Sequence, residues 1–257
     1  MNLQQILDSF TPCDDGHIVA IPPTWMQGRT AFGGLSSAIG LHGAMLAEDG
    51  LPPLRSAQIA FIGPLAGEVS VTTKLLRRGR TAAFIQSDIT GEKGLGLRAI
   101  YVFMQALDSE VDYAHHDAPD IGPPPADDAL HSGPPEFFTH NFEYAEKRTS
   151  DEEGVPRFTR WMRLKERDGL DPMVELIAMG DSLPPAAVAL QSRGAPVSSI
   201  NWFVNVLEPE PKTENGWWIV QTDSDMARHG NSSQANGLWA SDGTPAAAGM
   251  QSVALFS

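Results

Sequence analysis

The chain has 257 residues, 42% of them hydrophobic and 19% charged, with a formal net charge of −14 and one cysteine, Cys13. That length suits one large or two small domains with ample core, no apolar run is long enough for a membrane helix, and the negative field repels nucleic acid and anionic lipid. One cysteine allows no intramolecular disulfide, and residues 1–15 lack the cationic start and apolar stretch of a secretory signal, so a cytoplasmic protein is expected.

In chain order, the first element is a helix starting at Gly33-Gly34. Leu35, Ala38, Ile39, Leu41, His42, Met45 and Leu46 follow at spacings of three and four, as on a buried helix. Pro52-Pro53 stops it. Residues 56–62, 68–76, 81–90 and 96–105 are rich in β-branched and aromatic residues and read as four strands. Arg78-Gly79-Arg80 and Gly91-Glu92-Lys93-Gly94 supply turns between them. Residues 108–135 are rich in Pro, Asp and His; Pro123-Pro124-Pro125 and Pro134-Pro135 fit neither a helix interior nor a central strand, so this region reads as a surface linker.

The order then repeats. Residues 158–163 form a strand, and 172–181 a helix with Asp171 as N-cap and Pro172 in its first turn. Residues 186–191 form a short helix. Strands follow at 197–207, 216–223, 230–241 and 246–256, with Ser241-Asp242-Gly243 as a hairpin turn. Phe61-Ile62-Gly63-Pro64 and Val206-Leu207-Glu208-Pro209 end matching strands; Arg78-Gly79-Arg80-Thr81 matches His229-Gly230-Asn231-Ser232. A long helix wrapped by a curved antiparallel sheet, occurring twice, is the double-hotdog arrangement, an α+β class in which each helix covers one sheet face. The expected organisation is an N-terminal hotdog over 1–107, a Pro/Asp-rich linker over 108–150 and a C-terminal hotdog over 151–257.

Several catalytic patterns fail on their residues. His115-His116-Asp117-Ala118-Pro119-Asp120 fits a His-His-x-x-x-Asp pattern of some acyltransferases, but Ile121 follows where they have Gly. Gly34-Leu35-Ser36-Ser37-Ala38 lacks the last Gly of a nucleophile elbow and follows no strand. There is no phosphate-cradling loop or dinucleotide fingerprint. Asp223, Asp225 and His229 could ligate a metal, but a polar turn between strands is the simpler reading. No cofactor and no metal is expected.

Three stretches carry a resemblance. Asp181-Ser182-Leu183-Pro184-Pro185-Ala186 leads to Pro196-Val197-Ser198-Ser199-Ile200-Asn201-Trp202, and the chain ends with Gly249-Met250-Gln251-Ser252-Val253. In the first half, Gln27-Gly28-Arg29-Thr30-Ala31-Phe32-Gly33-Gly34 precedes the helix, and residues 77–103 hold an Arg-x-Gly-x-Ser/Thr hairpin. Together these resemble the acyl-CoA thioesterase II family over nearly the whole chain outside the linker. The resemblance implies hydrolysis of an acyl thioester, as in fatty acid metabolism, by a water held between Asp181, Ser199 and Gln251. Asp181 would take the water's proton; Ser199 and Gln251 would fix its line of attack. Ser199 stands where Thr is found in the family, with Ser198 beside it, and Gln58 stands where some members have His.

Gly33 and Gly34 would let backbone N–H groups approach the substrate at a helix N-terminus, or would simply permit close packing. Arg78 and Arg80, in the densest basic cluster, are candidates for the phosphates of CoA, or else a solvated turn. Trp25, Phe32, Trp202 and Phe203 are core residues or the wall of an acyl tunnel. The expected partner is an acyl-CoA or acyl-carrier thioester, and remaining sheet edges leave a homo-oligomer open. Two readings compete: a hotdog hydratase or dehydratase, which would need a His beside Asp181, and a non-hydrolytic acyl-thioester-binding protein.

Overall fold

The helix expected over 33–46 forms at its anticipated limits and is apolar nearly all round, so it lies inside the molecule. A computed structural model describes residues 1–145, 155–192 and 194–256. A short helix α1 (Leu3–Asp8) opens the chain, capped by Asn2, whose side chain accepts from the Gln5 N–H. Strands β1 (Thr11–Cys13) and β2 (Gly16–Ile21) form a hairpin. The two-residue strands β3 (Met26–Gln27) and β4 (Thr30–Ala31) form another. The buried helix α2 (Gly33–Leu46) follows. Its two polar residues in the interior, Ser36 and Ser37, donate to the carbonyls of Phe32 and Gly33 one turn back.

Strands β5 (Leu54–Phe61), β6 (Gly67–Arg78), β7 (Ala82–Gly91) and β8 (Gly94–Met104) are the four expected strands of the first half. After them come β9 (Leu130–His131), β10 (Phe142–Ala145) and β11 (Arg157–Leu164), then α3 (Pro172–Gly180) and a 3-10 turn, Ala186–Leu190. The second set of four is β12 (Val197–Val206), β13 (Trp218–Arg228), β14 (Asn231–Ala240) and β15 (Pro245–Leu255). The Asp171 side chain accepts from the Met173 and Val174 N–H groups, so α3 begins as its residues predict. His229 and Gly230 both have positive φ, at 54° and 73°, and join the paired residues Arg228 and Asn231 in a tight hairpin.

Thirteen strands form one antiparallel sheet in the order β1-β2-β6-β7-β8-β5-β12-β15-β14-β13-β11-β10-β9. Read outward from its centre, β5-β8-β7-β6-β2 mirrors β12-β15-β14-β13-β11, as a duplicated unit requires. The halves join where β5 pairs with β12, with Ile59 opposite Trp202 and Gln58 opposite Phe203. Helix α2 lies against β6, β7 and β8; α3 lies against β11 and β13–β15, and the two helices touch. A single apolar core runs through both halves. This is the expected double hotdog.

The stretch 108–150 does more than connect, as far as it is described. Phe138 stacks on Phe32 at 4.2 Å, and Phe142 meets Trp25 edge-on, so its latter part belongs to the core. Its earlier part crosses the outer face of the second-half sheet. There Trp161, Ile219 and Trp239, ladder partners on adjacent strands, pack with Trp217 under Ala118, Ile121 and Leu130. The indole N–H groups of Trp239 and Trp161 donate to the carbonyls of His116 and Gly122. The expected boundary at 150/151 lies outside the described residues.

Candidate active site

Asp181 is the residue after α3, and the end of α3 lies against the start of α2. A Cβ at Gly34 would run into the Ala178 carbonyl and the Phe32 ring; one at Gly33 would run into Oδ2 of Asp181 and the Phe61 ring. The glycine pair therefore permits two close approaches, backbone to backbone and backbone to carboxylate. The Gly34 N–H hydrogen-bonds the Asp181 carboxylate, satisfying a donor that every helix N-terminus leaves open. The Gln251 side chain donates to Oδ1 of Asp181 at 2.6 Å. Burial works against the charge more strongly than these two bonds favour it, and the carboxyl is pushed up to about 7.

Gln251 is buried on the inner face of β15. A second buried glutamine, Gln234, sits directly opposite on β14 and donates to Oε1 of Gln251 at 2.7 Å. Gln234 in turn accepts from the Ala186 N–H at 3.0 Å. Gln234 is not among the residues that the sequence motifs single out. Its signal is the period-two series Ser232, Gln234, Asn236, all buried on one face of β14, where core residues would be expected.

Ser199 reaches the inner face because β12 is irregular. Trp202, Val204 and Val206 are buried at period two, which continued backward would put Ile200 inside and Ser199 outside. A register shift between Ser199 and Asn201 breaks that phase, as one extra residue in a bulge does. Ser199, opposite Val253, is half-buried, and Ser198 is exposed.

Asp181 and Ser199 line a cavity of about 740 Å³ between the two halves. Its walls include Gly33, Ser36, Phe61, Leu65, Asp181, Ser198, Ser199 and Phe256. Gln251 stands behind Asp181. Among the described residues, the cationic side chains in its lining are Arg29, from the β3–β4 turn, and Lys93, from the β7–β8 turn. Arg78 and Arg80 are elsewhere: they flank the β6–β7 turn, at the opposite end of the ten-residue β7 from Lys93, roughly 30 Å away at the strand rise. Arg78 donates to the Gly50 carbonyl. Gln58 faces outward, and no histidine lines the cavity among the described residues. Trp25, Phe32 and Trp202 are core residues, and Phe203 is exposed on the outer face. Asp223 is tied to Arg157 across the β11–β13 pair.

A wrapped helix in each half and a cavity at their seam define a double-hotdog protein. Residues 21–104 match the acyl-CoA thioesterase N-terminal domain and residues 115–255 the acyl-CoA thioesterase C-terminal domain. The chain belongs to the acyl-CoA thioesterase family and is a thioester hydrolase. Its fold is similar to that of a hot-dog-fold protein from Alicyclobacillus acidocaldarius, with a TM-score of 0.83 at 18% identity over 100% of this chain and 99% of that one. It is also similar to the tesB protein of Mycobacterium avium subs paratuberculosis, at 0.78 and 16% over 99% and 98% of the chains. For the acyl-CoA thioesterase II TesB2 of Mycobacterium marinum the values are 0.76 and 15%, over 100% and 98%. At these identities the structural likeness establishes the fold alone. Comparison with curated protein sequences gave no match.

Proposed function

We propose that this chain hydrolyses acyl-CoA thioesters at the seam cavity, with Asp181 as general base, Gln251 holding its carboxylate in place and Ser199 holding the attacking water. The observation that carries this reading is a carboxyl at the cavity floor, pushed up to about 7 by burial and held by Gln251 and the start of α2. A base with that affinity for protons both accepts one from water and releases it near neutral pH. Water attacks the thioester carbon while its proton passes to Asp181. The oxyanion so formed is stabilised by the dipole at the start of α2 and by its N–H groups other than that of Gly34, which Asp181 takes. Collapse expels the thiolate, which takes the proton from Asp181 and leaves as CoA. Every step uses groups of this chain and one water.

The lack of a histidine in the cavity lining speaks against the hydratase or dehydratase reading, which pairs its Asp with one. The experiment is thiol release from acyl-CoAs of graded chain length. Release is expected for at least one, with kcat/KM rising with pH through about 7 as Asp181 ionises. Tight binding without release, or a rate independent of pH from 5 to 8, would remove this assignment.

Arg29 and Lys93 stand exposed at the cavity mouth of a chain with net charge −14, and we assign them the anionic end of CoA. Reversing both charges is expected to raise KM for an acyl-CoA about 5- to 10-fold and to leave kcat nearly unchanged. The same variants should act normally on the acyl-pantetheine, which lacks the phosphates. An equal effect on both substrates would exclude the assignment.

A further inference from the structure

The relay behind Asp181 has a direction, and one backbone group sets it. The Ala186 N–H can only donate, so the amide of Gln234 must turn its Oε1 toward it. Its Nε2 then faces Gln251 and must meet Oε1 there, which leaves the Gln251 Nε2 pointing at Asp181. Both glutamine side chains are buried, so water does not compete for these bonds. Taken alone, Gln251 could present either end of its amide to Asp181. Presenting Nε2 stabilises the carboxylate; presenting Oε1 would repel it and favour the protonated acid.

We propose that Gln234 is a positioning residue that holds Gln251 in the donor orientation and so keeps Asp181 available as a base. The inference rests on the assignment of Asp181 above and extends it to a residue that touches neither Asp181 nor the cavity. Among the described residues, the charged groups that line the cavity with Asp181 are Arg29 and Lys93, and β12, β14 and β15 contribute none to its lining. Glu175, earlier on α3, is turned to the Trp218 indole N–H.

The test reads Asp181 itself, without substrate. Its carboxyl-carbon NMR resonance, assigned by its loss in Asp181→Ala, is titrated in wild type, Gln234→Met, Gln251→Met and the double variant. Gln234→Met should move the titration up by about one pH unit, the scale of losing one hydrogen bond to a charged group. In the Gln251→Met background the same substitution should move it no further, a result that general loosening of the core would not produce. The acid limb of kcat/KM should shift in step with the titration. An unchanged titration in Gln234→Met, or the same shift with and without Gln251, overturns the proposal. If Gln234→Met does not fold, the nearly isosteric Gln234→Glu carries the comparison. Its upward shift should be larger with Gln251 present than absent, and equal shifts overturn the proposal. Failure to release thiol would remove the hydrolytic reading and leave the titration result as it stands, so the two failures can be told apart.

Discussion

Asp181→Ala is expected to lower kcat/KM by about 10²- to 10⁴-fold, the range spanned by a positioned general base, and to abolish the rise in rate through about pH 7. The same substitution should alter how stability depends on pH. In the unfolded chain Asp181 is an ordinary carboxyl, near 3.8; in the folded protein burial pushes it up to about 7. Between those values the folded state holds a proton that the unfolded state has released. Stability from this group is therefore highest at low pH and declines as pH rises through about 7. Going from pH 5 to pH 8, the wild type should lose about 1–3 kcal/mol relative to Asp181→Ala, the upper figure being the part of the shift that lies above pH 5 and the lower one allowing for solvent in the cavity. Urea titrations of both proteins at the two pH values measure this directly. A stability difference that does not change with pH would show that the carboxyl is not held where the structure puts it.

Gly33→Val should have the next largest effect, and through geometry alone. A side chain at that position meets Oδ2 of Asp181 and the Phe61 ring. The carboxyl can yield only by leaving the Gln251 and Gly34 donors. A displacement on the order of 1 Å at a reacting group can cost about 10²-fold in rate, and a loss of that size in kcat/KM is expected. Giving this first helical position a side chain would by itself gain at most about a few tenths of a kcal/mol in the case of β-branched Val. Here the collision outweighs that gain, and the melting temperature should fall. Normal kinetics in Gly33→Val would mean that Asp181 does not need its approach to α2.

The element order was legible because each strand alternates or carries β-branched residues and each turn carries Gly. The paired tetrapeptides ending β5 and β12, and those between β6–β7 and β13–β14, fall at matching places in the sheet. The small pieces were not legible. Strands β9 and β10 have two and four residues, too few to show a period, and they are held by the packing of Phe138 and Phe142. Within the site, resemblance pointed to Asp181, Ser199 and Gln251; Asp181 and Ser199 both line the cavity, and Gln251 bonds Asp181 without lining it. The choice between Ser198 and Ser199 turns on a bulge, which strict alternation would have read the wrong way. Gln234 was missed because an inward polar residue and a solvated one look alike in a strand pattern. Arg78 and Arg80 attracted notice as a cluster, but clustering does not say which end of a strand meets the cavity.

The two helix starts differ in a way that bears on why one chain holds both halves. α3 begins with a capping Asp171 side chain and Pro172; α2 begins at Phe32 without a side-chain cap and continues into Gly33-Gly34. In an assembly of identical halves every residue appears at both positions, so a start without a side-chain cap of its own would occur twice. Fusion removes that constraint. A change at Asp171 or Pro172 acts on one helix only, and so does a change at Gly33. One start can be sealed by its own N-cap while its twin receives the Asp181 carboxylate at Gly34. The two starts are specialised differently, with an Asp cap and a proline on one side and two glycines on the other.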